Sequence, residues 1–397
     1  MHVREIVTQF LSKVIHKTRL ESLIPVITGL IVSKQLKLTQ LGRSLNSSAT
    51  ERSGIRRIDR LLANSYYQKN SIEIYKAMTQ RVLGNQGRPI ILVDWTSLPN
   101  SHRMTEAGEY CALRASLIAE GRSITLYEEA HSKKQEGSNK VHQAFLKNLA
   151  SILPDCCYPY IVTDAGFRNP WFKAVNTLGW DYVGRIRGTV NYFYNDRWQP
   201  IKKLFKQIKS FSPKLIGEIL LSKENSLNTY LYSYKHKLKG RTKLNCFGEK
   251  DKRKNSKNHA RSYKEPWLLV SSLSGYTAAK RVIKLYQWRM TIEGSFRDTK
   301  SVEYGFSMNE NRTIKAKRYT VWLILAALAS LVAWLVGYAA EQKKLHYHFQ
   351  ANSYRHRRVL SFFYLGCQII RKKIEIPIKW EEIVREALDT NAWITLC

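Results

Sequence analysis

The chain has 397 residues, and its 65 Lys plus Arg against 31 Asp plus Glu give a formal charge of +34. That length suffices for two or three domains with a sizeable core, and so large a cationic excess calls for a polyanionic partner, nucleic acid first. The length and the ten tryptophans argue against a ribosomal protein, and six cysteines without a CxxC pair argue against a zinc ribbon.

Residues 1–85 read as helical and basic. Leu20–Val32 is apolar at helical spacing, and Leu36–Leu45 follows as a second helix. Ser53–Ala63 is a third, with Ile55, Ile58, Leu61 and Leu62 on its apolar face. Arg52, Arg56 and Arg60 recur at four-residue spacing opposite that face, with Arg43 and Arg57 nearby. Such a stripe either lies against phosphates or is a solvated face. The start, Met-His-Val-Arg-Glu, lacks the features of a secretory leader, so the expectation is a cytoplasmic protein with reduced thiols.

Gly84-Asn-Gln-Gly87-Arg-Pro89 reads as a linker, after which the periodicity changes. Ile90–Asp94 is a short apolar run suited to a central strand. Cys111–Ala119 and Ser123–Ala130 flank Glu120-Gly121-Arg122 as a hairpin. Val141–Leu153 is an amphipathic helix, Tyr160–Asp164 a buried strand, Asn169–Leu178 a helix and Tyr182–Ile186 another strand. This order predicts an α/β domain built on a mixed sheet covered by helices.

Between residues 187 and 265 the composition turns β-rich, with alternating strands predicted at Asn191–Trp198, Ile216–Leu221 and Thr229–Tyr234. A basic tract, Lys235–Lys264, closes this insertion with Lys250-Asp-Lys-Arg-Lys at its core. Trp267–Ser272 is a strand and Thr277–Thr299 one long helix. Tyr319–Ala340 carries no charge and is long enough to cross a bilayer. A buried core helix is the favoured reading, since no second span accompanies it. Residues 331–397 form a helical C-terminal region, basic around Arg355-His-Arg-Arg358.

The long helix carries the most specific pattern: Tyr286, two residues, Arg289, three residues, Glu293, six residues, Lys300. At ~100° per residue these four fall within an arc of roughly 60°. Asp298 lies about 140° round from Glu293 and reads as a surface or salt-bridge residue. Upstream, Asp94 and Asp164 each end a predicted buried strand. Two strand-borne Asp and one helix-borne Glu, with cations beside the Glu, can hold divalent metal against a phosphodiester.

This pattern resembles the DDE-type insertion-sequence transposases that carry a Tyr-Arg-Glu-Lys signature. The resemblance runs from Leu36 to about Gln350. Further landmarks are Leu41-Gly-Arg-Ser-Leu45, Arg57-Ile-Asp-Arg-Leu-Leu62, Val93-Asp-Trp95, Gly121-Arg-Ser-Ile-Thr-Leu-Tyr-Glu128, Thr163-Asp-Ala-Gly-Phe167 and Lys264-Glu-Pro-Trp267.

The resemblance implies an RNase H-like catalytic domain over residues 88–330 with the β-rich basic insertion inside it, and a repeat-binding helical domain over residues 1–85. Residues 331–397 would serve dimerisation or DNA contact. It implies Asp94, Asp164 and Glu293 as catalytic metal ligands, Mg²⁺ as cofactor with Mn²⁺ as substitute, and Asp94 and Asp164 side by side at one sheet end. Arg185, Tyr286, Arg289 and Lys300 would contact DNA phosphates, although Tyr286, flanked by Leu285 and Trp288, also fits a core position. Trp267 stands where a relative stacks a flipped base, and equally fits a core tryptophan at a strand start. The implied partners are double-stranded DNA, as terminal repeats and target, and a second copy of the chain in a synaptic dimer, with no membrane. Two other functions fit less of the pattern. A metal-dependent nuclease would cut without joining, and an inactive DNA-binding remnant would be expected to have lost a carboxylate.

Overall fold

The computed structural model describes residues 2–46, 48–99, 109–208, 211–235, 249, 265–351, 354 and 356–388. The core of the predicted basic tract, with Lys250, lies outside the described residues, as do Arg355 and residues 389–397. The chain divides into two compact units. The first comprises residues 1–158 and 290–396, and the second residues 159–289.

The first unit opens with six helices: α1 His2–Leu11, α2 Lys17–Ser33, α3 Leu38–Arg43, α4 Glu51–Ala63, α5 Ser65–Lys69 and α6 Ser71–Leu83. Thr50 caps α4 by accepting from the Ser53 N–H at 3.3 Å. Helices α3 and α4 cross at glycine, where a Cβ on Gly54 would stand 2.3 Å from the Gly42 carbonyl oxygen. An antiparallel three-stranded sheet follows, formed by β1 Ile90–Ser97, β2 Tyr110–Ala119 and β3 Arg122–Ser132, in the order β3-β2-β1. Helix α7, Asn139–Ile152, completes this stretch.

The second unit begins with β4 Tyr160–Thr163, α8 Asn169–Thr177 and β5 Asp181–Arg185, with β4 parallel to β5. Next come β6 Asn191–Tyr194, β7 Arg197–Pro200, α9 Lys202–Gln207, β8 Lys214–Leu221, β9 Leu227–Tyr234, β10 Trp267–Ser271 and α10 Ala278–Trp288. One sequence expectation changes here. The single strand predicted over Asn191–Trp198 is a hairpin, turned at Asn195 and Asp196 with φ of 50° and 58°. Consecutive positive φ values are what a two-residue turn between twisted strands requires. Strand β10 pairs with β5 on one edge and β9 on the other, so all seven strands of the unit share one sheet.

The chain then returns to the first unit through α11 Met290–Lys300, α12 Ala316–Gln342, α13 Phe362–Arg371 and α14 Trp380–Leu388. The apolar window of α12 is long enough to span a membrane, yet 89% of it is buried inside the protein. Its neighbours are β3, α2 and α13. Gly366 of α13 lies so close to α12 that an added Cβ would stand 1.8 Å from the Ala333 carbonyl oxygen. Helix α12 is thus the core helix of its unit.

The helix predicted over Thr277–Thr299 is interrupted. Helix α10 ends at Trp288 and α11 starts at Met290, with Arg289 between them and its N–H bonded to the Tyr286 carbonyl at i−3, 3.1 Å. The backbone tightens by one residue there. No Gly or Pro marks the spot, so the 3.6-residue period ran through it in the sequence reading. The four signature residues consequently divide, with Tyr286 and Arg289 in the second unit and Glu293 and Lys300 in the first.

Candidate active site

In the first unit, strand alternation sends Asp94 and Thr96 to one face of β1 and Trp95 to the other. Asp94 is 8% exposed, and its Oδ1 accepts the Trp95 backbone N–H at 2.8 Å, which orients the carboxylate. Arg114 sits directly opposite Asp94 across the β1–β2 pair. Arg114 in turn grips Glu128 of β3 with two hydrogen bonds of 2.9 and 3.0 Å. Their side chains are 3% and 0% exposed. Burial pushes the Glu128 carboxyl up, and the Arg114 guanidinium works against that rise.

Helix α11 docks on this polar layer. Ser295 meets Ser123 at 2.8 Å, and Arg122 donates to Asp298 at 2.5 and 3.3 Å. Asp298 is therefore the expected salt-bridge residue, an inward anchor of α11 rather than a surface group, and desolvation raises its pKa. Its direction round the helix was read correctly, but the sheet lies on that side. Glu293 points the other way and is exposed. Lys300 reaches back to β1 and donates to Thr96 Oγ1 at 2.6 Å. Burial first, and then Arg114, pulls its pKa down to about 8.

The opposite face of β1 holds a network that the sequence reading missed. The Trp95 indole donates to His142 Nε2 at 3.0 Å, so that nitrogen is an acceptor and the imidazole is neutral. Burial agrees, holding His142 down at about 4. The Trp95 ring also meets His131 edge-on, and His131 binds Glu129 at 2.8 Å. Glu129 further accepts from Tyr127 and from Asn148.

The second unit presents Asp164 just past β4, where its Oδ1 accepts the Gly166 N–H at 2.7 Å. Arg185 ends β5 and donates to the Tyr286 phenol. Its Nε is buried with no hydrogen-bond partner among the described residues. Burial lowers the Arg185 pKa, and burial raises that of Tyr286 against the pull of Arg289 and Arg185. Tyr286 is 4% exposed and lies edge-on to Trp267, with ring centroids 4.8 Å apart. Trp267 also tilts against Tyr234 at 5.8 Å. Both aromatic residues are thus packed, and Tyr286 makes a polar contact as well.

Of the helical-domain arginines, Arg52, Arg56 and Arg60 are exposed, and no carboxylate pairs with them among the described residues. Arg43 pairs with Glu51 at 3.1 Å. Arg57 turns inward and donates to the Ser22 carbonyl of α2 at 3.2 Å.

The donor set proposed for metal consists of carboxylate oxygens, which suit Mg²⁺ or Mn²⁺ rather than zinc. Asp94 and Glu293 belong to the first unit and Asp164 to the second. Among the described residues no three His, Cys, Asp or Glu side chains form one cluster able to hold a metal ion.

No curated protein matches the chain. Among solved structures, a chain of the piggyBac transposase synaptic complex with hairpin DNA is similar at a TM-score of 0.42 and 12% identity, covering 98% of this chain and 82% of that one. A likeness so slight carries no argument. The model of the transposase DDE domain, in contrast, matches residues 85–332, well over half of the chain and a span that includes Asp94, Asp164 and Glu293. The chain belongs to the transposase DDE domain family.

Proposed function

We propose that the protein is a cut-and-paste DNA transposase of an insertion sequence, of the kind carried by the tetracycline-resistance transposon. The observation that carries this reading is the family match over residues 85–332, which takes in all three carboxylates and the four signature residues. The charge of +34 and the exposed Arg52, Arg56 and Arg60 on α4 support a DNA partner.

In this reading an RNase H-like domain brings Asp94, Asp164 and Glu293 together to hold divalent metal, Mg²⁺ or Mn²⁺. Such a metal, held by Asp94, Asp164 and Glu293, would supply Lewis-acid stabilisation of the scissile phosphate. The protein's own groups do the rest. Arg185, Arg289 and Lys300 hold backbone phosphates, and Tyr286 donates a hydrogen bond to one. Trp267 offers a face to a flipped base. The helical domain of residues 1–85 reads the terminal repeats, and the two ends are paired by a dimer in the cytoplasm. Hydrolysis of one strand frees a 3′-hydroxyl, which attacks the phosphodiester of the opposite strand, expels the 3′-oxygen of the flanking DNA and closes a hairpin. The hairpin is reopened before strand transfer into target DNA.

The test uses purified protein, a labelled duplex carrying the element end, and Mg²⁺. Wild type should yield hairpin and strand-transfer products, and Glu293→Gln should bind the duplex and yield neither. Cutting without joining would move the reading to a nuclease. Binding without any cutting in Mg²⁺ or Mn²⁺ would move it to an inactive remnant.

A further inference from the structure

The first unit contains a cleft of about 790 Å³ that none of the roles above uses. One wall is Lys37 and the first turn of α3. The other is the segment of residues 309–315 that links the signature helix α11 to the core helix α12, together with Arg318.

The walls are fixed to each other by hydrogen bonds between distant parts of the chain. The Leu36 N–H donates to the Phe306 carbonyl at 2.8 Å, and Asn311 Nδ2 to the Leu36 carbonyl at 2.6 Å. Asn311 also accepts from the Thr313 N–H at 2.8 Å, and Thr313 Oγ1 accepts from Trp322 Nε1 at 2.9 Å. The cleft is therefore set by the fold itself and not by mobile side chains.

Its chemistry is cationic. Two of its cations are committed to carboxylates, Lys37 to Glu310 and Arg318 to Asp59. The other two, Arg312 and Lys315, are exposed and have no carboxylate partner among the described residues. Beside these cations stand the Thr39 and Thr313 hydroxyls and the Gln40, Asn309 and Asn311 amides, a donor set that suits a polyanion.

Its position points to DNA in particular. The Arg318–Asp59 bond, 2.7 Å, ties the cleft to α4, the helix that exposes Arg56 and Arg60. On the other side the Ile314 carbonyl accepts from the Tyr110 hydroxyl at 3.3 Å. Tyr110 begins β2 beside the end of β1, its carbonyl bonded to the Leu98 N–H at 2.9 Å, a few residues beyond Asp94. The cleft thus connects the arginine-bearing helix to the C-terminal end of β1, three residues past Asp94.

We propose that this cleft is a DNA-backbone site that carries a strand of the transposon end from α4 toward Asp94, with Arg312 and Lys315 binding its phosphates. The proposal rests on the transposase reading.

The experiment titrates wild type, Arg312→Gln/Lys315→Gln and a charge-matched control, Lys140→Gln/Lys147→Gln on α7, with a short mixed-sequence DNA duplex over a range of salt. Lys140 and Lys147 are exposed and lie outside the cleft. Each phosphate contact contributes about 0.9 to the slope of log affinity against log salt, so the cleft variant should lose roughly two units of slope. The control should lose much less. If wild type binds and the cleft variant keeps its slope, or the control loses as much, the cleft proposal is overturned while the transposase reading stands. If wild type shows no salt-dependent binding, both are overturned.

Discussion

The two compact units hold their proposed site residues by different means. In the first, Asp94 and Lys300 rest against a buried layer of fixed charge and hydroxyl contacts, centred on the Arg114–Glu128 pair and the Arg122–Asp298 anchor. In the second, Asp164 sits in a turn beyond β4, and Arg185, Tyr286 and Trp267 are held by ring packing and one phenol contact. Buried ion pairs give a precise arrangement at the cost of large penalties when one partner is lost. Aromatic packing tolerates loss of a polar atom, because the ring contacts survive. Substitutions in the first unit should accordingly register as stability, and those in the second as ligand contact.

The largest effect expected is from Glu128→Gln or Arg114→Met alone. Each strands a buried charge and should cost about 3–5 kcal/mol in urea unfolding. The double replacement Arg114→Met/Glu128→Leu should recover most of that loss. Equal losses in single and double variants would mean that packing, not charge pairing, holds this layer.

Tyr286→Phe removes the acceptor of the buried Arg185 and should cost about 1 kcal/mol in unfolding, and should slow single-turnover strand cleavage by more than that. A hydrogen bond to a charged group contributes about 1.5–3 kcal/mol, which corresponds to roughly ten- to hundredfold in rate. A stability loss without a rate loss would make the phenol a purely structural group.

His142→Leu removes the acceptor for the Trp95 indole and should destabilise by about 1–2 kcal/mol. His142→Gln, which keeps an acceptor, should recover part of that. Identical melting of the two variants would remove the Trp95–His142 bond from the account.

The one pH-dependent effect concerns Lys300. Its folded pKa of about 8 lies below the ordinary 10.5. Between these values the unfolded chain holds more protons, so this residue's contribution to stability rises with pH across that window. The melting temperature of wild type relative to Lys300→Met should therefore shift in favour of wild type from about pH 8 to 10.5. A constant difference would show that the ammonium is not desolvated.

Much of this arrangement was legible in the sequence because local periodicity carried it. Strands β4 and β5 and helices α7 and α8 fall within a residue or two of their expected places, being short apolar runs and amphipathic stretches with clear ends, whereas β1 runs three residues past its expected end, to Ser97, and so holds Asp94 inside the strand. The 3.6-residue spacing also set Asp298 apart from Glu293. What local pattern could not give was which partners would arrive from afar. Arg122 meets Asp298 across 176 residues, and no spacing rule announces that. The Trp95–His142 contact is likewise tertiary. The Asn195-Asp196 turn, in contrast, does carry a signal in the sequence, since both residue types tolerate positive φ. The break at Arg289 had no signal of residue type at all.

The division of the chain at Tyr158 and Arg289 also governs how the protein is made. The first unit is discontinuous, so its sheet leaves the ribosome long before α11 and α12. Arg114, Glu128 and Arg122 must wait, without the helix that covers them, until the whole second unit has been synthesised. The second unit, continuous in sequence, can fold as soon as it emerges. Closing the first unit then requires contacts across the whole of residues 159–289, a long-range closure that carries an entropy cost. Chains truncated after Lys300 should then leave the polar layer uncovered by α12 and be prone to aggregation.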